Sequence, residues 1–164
     1  MNNIAQNLDL QSKGTWLPIA ISILLFLYAL FMKKKHMTWK ECYLTFGCVG
    51  YMAWIGDTLT GNLLNLYDLG KPNITGLADS MSFALIPASL AVIFLNYKSR
   101  SNLWFLVLLF TLISQAIYWL CLESGYFREH GWHWFYSIII FVICFAFIVP
   151  GHERLMHYPD HQRE

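Results

Sequence analysis

Five stretches of the chain are apolar over lengths that match a bilayer, and polar or basic breaks separate them. A helix needs about 20 predominantly apolar residues to cross the hydrocarbon, within a range of about 17–25. The first stretch, 15–32, is uncharged and stops at Lys33, Lys34, Lys35 and His36. The second, about 41–64, contains Asp57, and the third, about 77–97, contains Asp79 and Pro87. The fourth (103–122) and fifth (134–149) carry no charged residue. Between the second and third, NLYDLGKPNITG gathers Gly, Pro, Asn and Asp and reads as a turn-rich loop. Period-two alternation is absent, and an open sheet in lipid would leave backbone groups unpaired, so strands are not expected. The pattern predicts an all-α integral membrane bundle of five transmembrane helices. Residues 1–14 form an extracytoplasmic leader and 151–164 a cytoplasmic tail.

Composition turns this pattern into a class. Of 164 residues, 57% are hydrophobic and 13% charged, about half the charged fraction of a soluble domain. So few charges cannot coat a water-facing surface of this size. The abundance of aromatic residues excludes disorder. A net charge of +1 without a basic stripe argues against a nucleic-acid partner. The partner implied is the lipid bilayer.

Lysine and arginine placement sets the expected orientation. With the amino end outside, the inner segments hold Lys33, Lys34, Lys35, Lys40, Lys98, Arg100, Arg154 and Arg163, eight in all, and the outer ones hold Lys13, Lys71 and Arg128, three. The carboxyl end is therefore expected in the cytoplasm. The leader MNNIAQNLDLQSKG has one late lysine and no small-residue cleavage motif, so the first span is expected to stay as an anchor. Trp16, Trp39, Trp104, Trp132 and Trp134 fall near span ends, as an interfacial belt requires. Cys42, Cys48, Cys121 and Cys144 fall inside or at the edge of apolar runs without C-x-x-C spacing and read as small buried hydrophobes. No internal repeat is visible.

The polar residues inside the spans are the candidate chemistry. At about 100° per residue, Tyr43, Gly47, Gly50, Trp54, Asp57, Gly61 and Asn65 fall on one stripe of the second span. Gly47, Gly50 and Gly61 would let another helix approach closely, which suits the bundle or a homo-oligomer or membrane-protein partner equally. On the third span Asp79, Ser82, Ser89 and Asn96 share a face with Ile86 and Ile93, while Pro87 removes a donor and is expected to bend the helix. On the fourth, Thr111, Gln115 and Tyr118 do so.

An aspartate at mid-span costs about 2.5–3.5 kcal/mol on insertion scales, so Asp57 must turn toward protein or water. Depth places Asp57, Asp79, Asn62, Asn65, Glu123, His130 and His133, with Tyr126 nearby, at the outer membrane face. Two readings follow. One is a proton, cation or catalytic site, since carboxylates and imidazoles suit divalent metals and proton relay. The other, which is favoured, is a hydrogen-bonded cap tying the outer loops to the bundle.

Other chemistry finds no support. Phosphate-loop, zincin, nucleophile-elbow and dinucleotide motifs are absent. No catalytic residue, metal or cofactor is assigned. Asn73-Ile74-Thr75 is a glycosylation sequon that matters only in a eukaryotic secretory pathway. His152, His157 and His161 lack tight ligand spacing and read as part of a solvated tail.

Three stretches in order resemble a family of small polytopic membrane proteins found mainly in spore-forming Gram-positive bacteria. They are Trp39-Lys40-Glu41 with Gly56-Asp57; Ala78-Asp79, Ile86-Pro87-Ala88 and Leu95-Asn96-Tyr97; and Tyr118-Trp119, Gly125-Tyr126, His130-Gly131-Trp132 and Tyr136-Ser137. The resemblance covers roughly 39–157. It departs at Tyr118, where the family pattern has an acid beside the tryptophan; here the acid follows at Glu123. The family carries no assigned activity, so the resemblance implies topology and a bacterial plasma membrane and nothing of chemistry. The expectation is a non-enzymatic protein acting through packing or partner binding. The alternatives are a proton- or cation-coupled carrier using Asp57 and Asp79, and an intramembrane enzyme at the outer carboxylate–histidine group.

Overall fold

The computed structural model describes residues 8–71 and 75–157. Within them five helices follow one another: α1 (Trp16–Phe31), α2 (Trp39–Asp57), α3 (Leu77–Tyr97), α4 (Leu103–Glu123) and α5 (Trp134–Met156). A reciprocal cap opens α2: the Glu41 backbone N–H donates to the Thr38 hydroxyl at 3.3 Å, and the Thr38 N–H donates to the Glu41 carboxylate at 2.6 Å. Such a box satisfies two of the orphan donors at a helix start. The helix then passes without a break into a π-helical turn, Thr58–Leu63. There Thr58 and Thr60 return their hydroxyls to the carbonyls of Trp54 and Gly56 at 2.9 and 2.8 Å.

Of the five expected spans, α3, α4 and α5 are long and apolar enough to cross a membrane. α1 is apolar but only 16 residues long, and α2 is diluted by Lys40, Glu41, Thr45, Asp57 and its glycines. The fifth boundary needs correction too. The helix does not stop at 149 but continues to Met156, taking in 151–156 of the expected tail. A proline usually breaks a helix by lacking its N–H and crowding the carbonyl four residues back. Here a π-helical turn, Cys144–Ile148, comes just before Pro150, and the Val149 N–H reaches back to the Cys144 carbonyl. That wider turn takes up the disturbance.

Strands were not expected, yet two short ones occur. β1 (Tyr67–Leu69) pairs antiparallel with β2 (Phe127–Glu129), Tyr67 opposite Glu129 and Leu69 opposite Phe127. They lie in the loops between helices, where the argument against strands in lipid does not apply, and three residues are too few to display alternation. The Leu66 carbonyl extends the junction by accepting from the N–H groups of His130, Gly131 and Trp132 at 3.0–3.1 Å.

Long-range bonds sort the loops to two ends. At one end the fully buried Asn96 accepts from the Lys35 N–H at 2.7 Å and donates to the Lys33 carbonyl at 3.0 Å, binding the α1–α2 turn to α3. At the same end Lys98 pairs with Glu153 and His157 with Glu41. The opposite end holds the strand pair and the 8–15 segment. Successive helices are therefore antiparallel. Lys33, Lys34, Lys35, Lys40, Lys98, Arg100 and Arg154 cluster at the first end. Arg163, His161 and residues Asn73-Ile74 of the sequon lie outside the described residues.

α3 is the central rod. From Ala88 to Asn96 it is buried on every side, with α1 and α2 packed along it, whereas α4 packs mainly on α5. Phe94, Phe110 and Phe145 join the two groups, their ring centroids 5.3–5.5 Å apart. Leu24, Phe31, Met52, Leu108, Leu112 and Phe147 face outward and exposed. The expected stripe on α2 is displaced: Tyr43 and Trp54 are exposed, and the buried positions are Cys42, Thr45, Gly50 and Asp57. The reason is that large aromatic side chains fit the perimeter while the slot against α3 admits only small ones. Gly47 has open space where a Cβ would stand, with nothing within 4 Å among the described residues. Gly50 does the opposite. A Cβ there would lie 2.8 Å from the Ala84 carbonyl oxygen, a backbone atom that cannot step aside.

Gly50→Ala should therefore destabilise the bundle by about 1–3 kcal/mol, the cost of overpacking a close contact. Gly47→Ala should stay within about 0.5 kcal/mol of the parent or gain helix propensity. Thermal unfolding in detergent, followed by circular dichroism, should lower the midpoint for the first variant only.

Candidate functional site

At the end opposite the basic cluster, the buried carboxylates of Asp57 and Asp79 are each closed by a tyrosine from a loop. Asp57 ends α2 and is 8% exposed. Its Oδ1 accepts from the Tyr67 hydroxyl at 2.9 Å, and that hydroxyl also contacts Thr60 Oγ1 at 2.9 Å. The π-helical turn brings Thr60 round to this position. Gly61 sits against the group, and a Cβ there would lie 3.0 Å from the Tyr67 ring and 3.2 Å from the Asp57 oxygen. Asp57 Oδ2 has no hydrogen bond among the described residues. Asp79, in the first turn of α3, takes the Gly76 N–H on Oδ2 at 2.9 Å and the Tyr126 hydroxyl on Oδ1. An acid near a helix start is favoured by the exposed N–H groups and the dipole. No hydrogen bond joins Asp57 to Asp79.

Strand pairing delivers both tyrosines. Tyr67 opens β1 and Tyr126 immediately precedes β2; the Gly70 N–H donates to the Tyr126 carbonyl at 2.9 Å. Tyr67 stacks on Phe127 at 4.8 Å and meets the Trp132 edge at 5.5 Å. Both tyrosines are buried. Burial raises both phenols above their ordinary value of 10.0, with the adjacent carboxylates adding to the effect. They are neutral donors throughout the physiological range.

Asp9 makes a third buried acid, absent from the expected set. It accepts from Ser12 Oγ at 2.6 Å and from the Lys71 N–H at 2.8 Å, fastening the leader to the 65–76 loop. Gly70 turns beside it at φ +52°, and a side chain there would collide with the Asp9 carboxylate. Only glycine meets both demands.

The other expected members do not join the two aspartates. Asn62 and Asn65 are exposed and make no side-chain hydrogen bond among the described residues, and Asn65 adopts φ +49°, so it serves the turn. Glu123 is exposed at the end of α4 and makes no ion pair among the described residues. Glu129 is the acid that α4 reaches, accepting from the Tyr118 hydroxyl. His130 lies outside, paired with Asp68 at 2.7 Å. His133 flanks α5, exposed, its ring edge-on to Tyr136. Among the described residues no three His, Cys, Asp or Glu side chains gather as metal ligands. Deeper in the bundle Ser89, Thr111 and Gln115 are buried without hydrogen-bond partners.

The Tyr126 partnership had a faint signal in the Gly125-Tyr126 pair, and Asp9 had one in the spacing Asp9-Leu10-Gln11-Ser12, a local side-chain turn. Tyr67 had none, because its partner is fixed by the strand register.

Tyr67→Phe should cost about 1–3 kcal/mol, the penalty for stranding a buried acceptor. The Tyr67→Phe and Asp57→Asn effects should be less than additive, as contacting pairs are. An alkaline titration followed at 295 nm adds a second readout. The raised phenols keep their full contribution to stability below pH 10 and lose it as pH rises further, because the unfolded chain releases those protons first. Tyr67→Phe and Tyr126→Phe should each remove one phenol from the late-ionising class.

Compared with known proteins, the chain matches no family model, no curated protein sequence and no solved structure.

Proposed function

We propose that this chain is a multi-pass bacterial plasma-membrane protein that crosses the bilayer five times, with its amino end outside and its carboxyl end in the cytoplasm. It acts without catalysis, through helix packing and partner binding. Three helices long and apolar enough to span support the membrane setting, as do the exposed leucines and phenylalanines around the perimeter. α1 with its flanking Thr15 and Met32 comes within the range of about 17–25 residues that a span requires, and α2 with its π turn is longer. Seven lysines and arginines at one end face Lys13, Lys71 and Arg128 at the other, the asymmetry that the positive-inside rule reads as cytoplasmic against external. The resemblance to small membrane proteins of spore-formers supports the bacterial plasma membrane.

One observation carries the non-catalytic reading: the buried carboxylates of Asp57 and Asp79 are occupied by tyrosine hydroxyls that strand pairing holds in place, while His130 and His133 stand outside. Groups used in this way make a cap that fastens loops to helices. A proton- or cation-coupled carrier is the second reading, favoured by the second oxygen of Asp57, which has no hydrogen bond among the described residues.

Asp57→Asn separates the two, because the amide oxygen still accepts from Tyr67 while the ionisable group is gone. The cap reading expects this variant to reach the membrane at parental level, and expects vesicles carrying either protein to pass protons and cations no faster than empty ones. Flux through the parent that Asp57→Asn abolishes would establish the carrier instead. A fluorescent protein fused after Glu164 should glow, while alkaline phosphatase at the same place should stay inactive; the reverse result would overturn the orientation.

A further inference from the structure

The two helix groups do not close against each other at the basic end. A cleft of about 530 Å³ remains there between α3, α4 and the α1–α2 turn. Its mouth is polar, formed by Lys35, His36 and Ser99, and its wall is apolar, formed by Leu106, Leu109 and Ile113 among others. From Asn102 at the mouth to Ile113 is about 16 Å along α4 at 1.5 Å per residue, close to half of the roughly 30 Å hydrocarbon core. A groove one leaflet deep with a charged rim has the dimensions of a lipid.

Charge selects which lipid. The Lys35 ammonium lies over the Tyr97 ring at 5.0 Å, and no carboxylate pairs with it among the described residues. The two described acids at this end are already engaged, Glu41 with Thr38 and His157, and Glu153 with Lys98. Lys33, Lys34 and Arg100 add to the positive field around the rim. Asn102 holds the α3–α4 turn by accepting from the Ser99 N–H at 2.7 Å and donating to the Tyr97 carbonyl at 3.0 Å, so the mouth is shaped before anything enters. Basic pockets between helices on the cytoplasmic side are where anionic headgroups settle.

We propose that this cleft binds an anionic phospholipid, with its phosphate at Lys35, His36 and Ser99 and one acyl chain along Leu106, Leu109 and Ile113. The inference rests on the membrane reading above. Carbonate washing of membranes containing the full chain tests that reading separately: release into the soluble fraction would overturn the membrane setting and the lipid site together. For the chain that stays, native mass spectrometry from a neutral detergent compares retention of dioleoylphosphatidylglycerol with dioleoylphosphatidylcholine. The expected result is preferential retention of the anionic lipid. Lys35→Gln should weaken it about fivefold, the effect of one interfacial cation, and Leu109→Trp should block both lipids by filling the groove while leaving the cationic mouth intact. Lys40→Gln, at the same end but outside the cleft, should change nothing. Equal retention of the two lipids would overturn the proposal with the membrane reading intact. Retention that survives both Lys35→Gln and Leu109→Trp, or that falls as far with Lys40→Gln as with Lys35→Gln, would do the same.

Discussion

A carboxylate that leaves water must be met by donors, because an unpaired buried charge costs far more than a hydrogen bond returns. The end of this bundle opposite the basic cluster is arranged around meeting that demand twice. Asp57 and Asp79 sit at the ends of neighbouring helices. The donors come from elsewhere: Tyr67 and Tyr126 lie in and beside two three-residue strands that pair across the loops. An isolated strand pair of that size would not persist in water. Here the tyrosine hydroxyls anchor it to the helices, and the stacked Tyr67 and Phe127 rings hold the two strands to each other. The strands position the tyrosines, and the tyrosine–aspartate bonds in turn fix the strands.

The same coupling explains how two loosely joined helix groups act as one body. α1, α2 and α3 share a close interface in which Gly50 fits beneath the Ala84 carbonyl, while α4 and α5 form a second pair. Besides the strand pair, contacts span the division at three levels. Tyr126, just beyond α4, reaches Asp79 at the head of α3. The three phenylalanine rings meet in the interior. At the foot Lys98 meets Glu153, and Thr45 lies 3.2 Å from His152. The α5 bridge at the foot exists because the π-helical turn carries the helix past Pro150; a helix ending there would leave His152 and Glu153 without fixed positions.

Much of this architecture was legible in the sequence, and the failures have physical causes. Apolar run length located all five helices but ended the fifth at 149 where it runs on to Met156, because burial and lipid contact both demand such runs while a polar helical extension carries no such mark. Acids inside those runs marked Asp57 and Asp79, since nothing but a specific partner tolerates them there. The partners were not legible. Tyr67 and Tyr126 arrive from loops, through a register that no local pattern encodes. Helical periodicity also misplaced the buried face of α2: Tyr43, Gly47 and Trp54 share a stripe with Asp57, but side-chain volume decided which positions entered the slot beside α3. Glu123 and His133 lay at the correct end and contributed nothing to the site, because nearness along the membrane normal is not nearness across the bundle.

The two ends of the molecule satisfy their polar groups by opposite means. Around Asp57, Asp79 and Asp9, acceptors are matched by hydroxyls and backbone N–H groups within the chain. At the other end the donors outnumber the acceptors: Asn96 and Asn102 satisfy the turns, two ion pairs occupy Glu41 and Glu153, and most of the lysines and arginines remain turned outward. A helical chain that balances its charge internally at one end and leaves it unbalanced at the other has a direction built into it. In a bilayer with an anionic inner leaflet, the unbalanced end is the one that gains by facing that leaflet. The positive charge that would orient the helices therefore stands at the rim of a gap that their packing leaves open at that end.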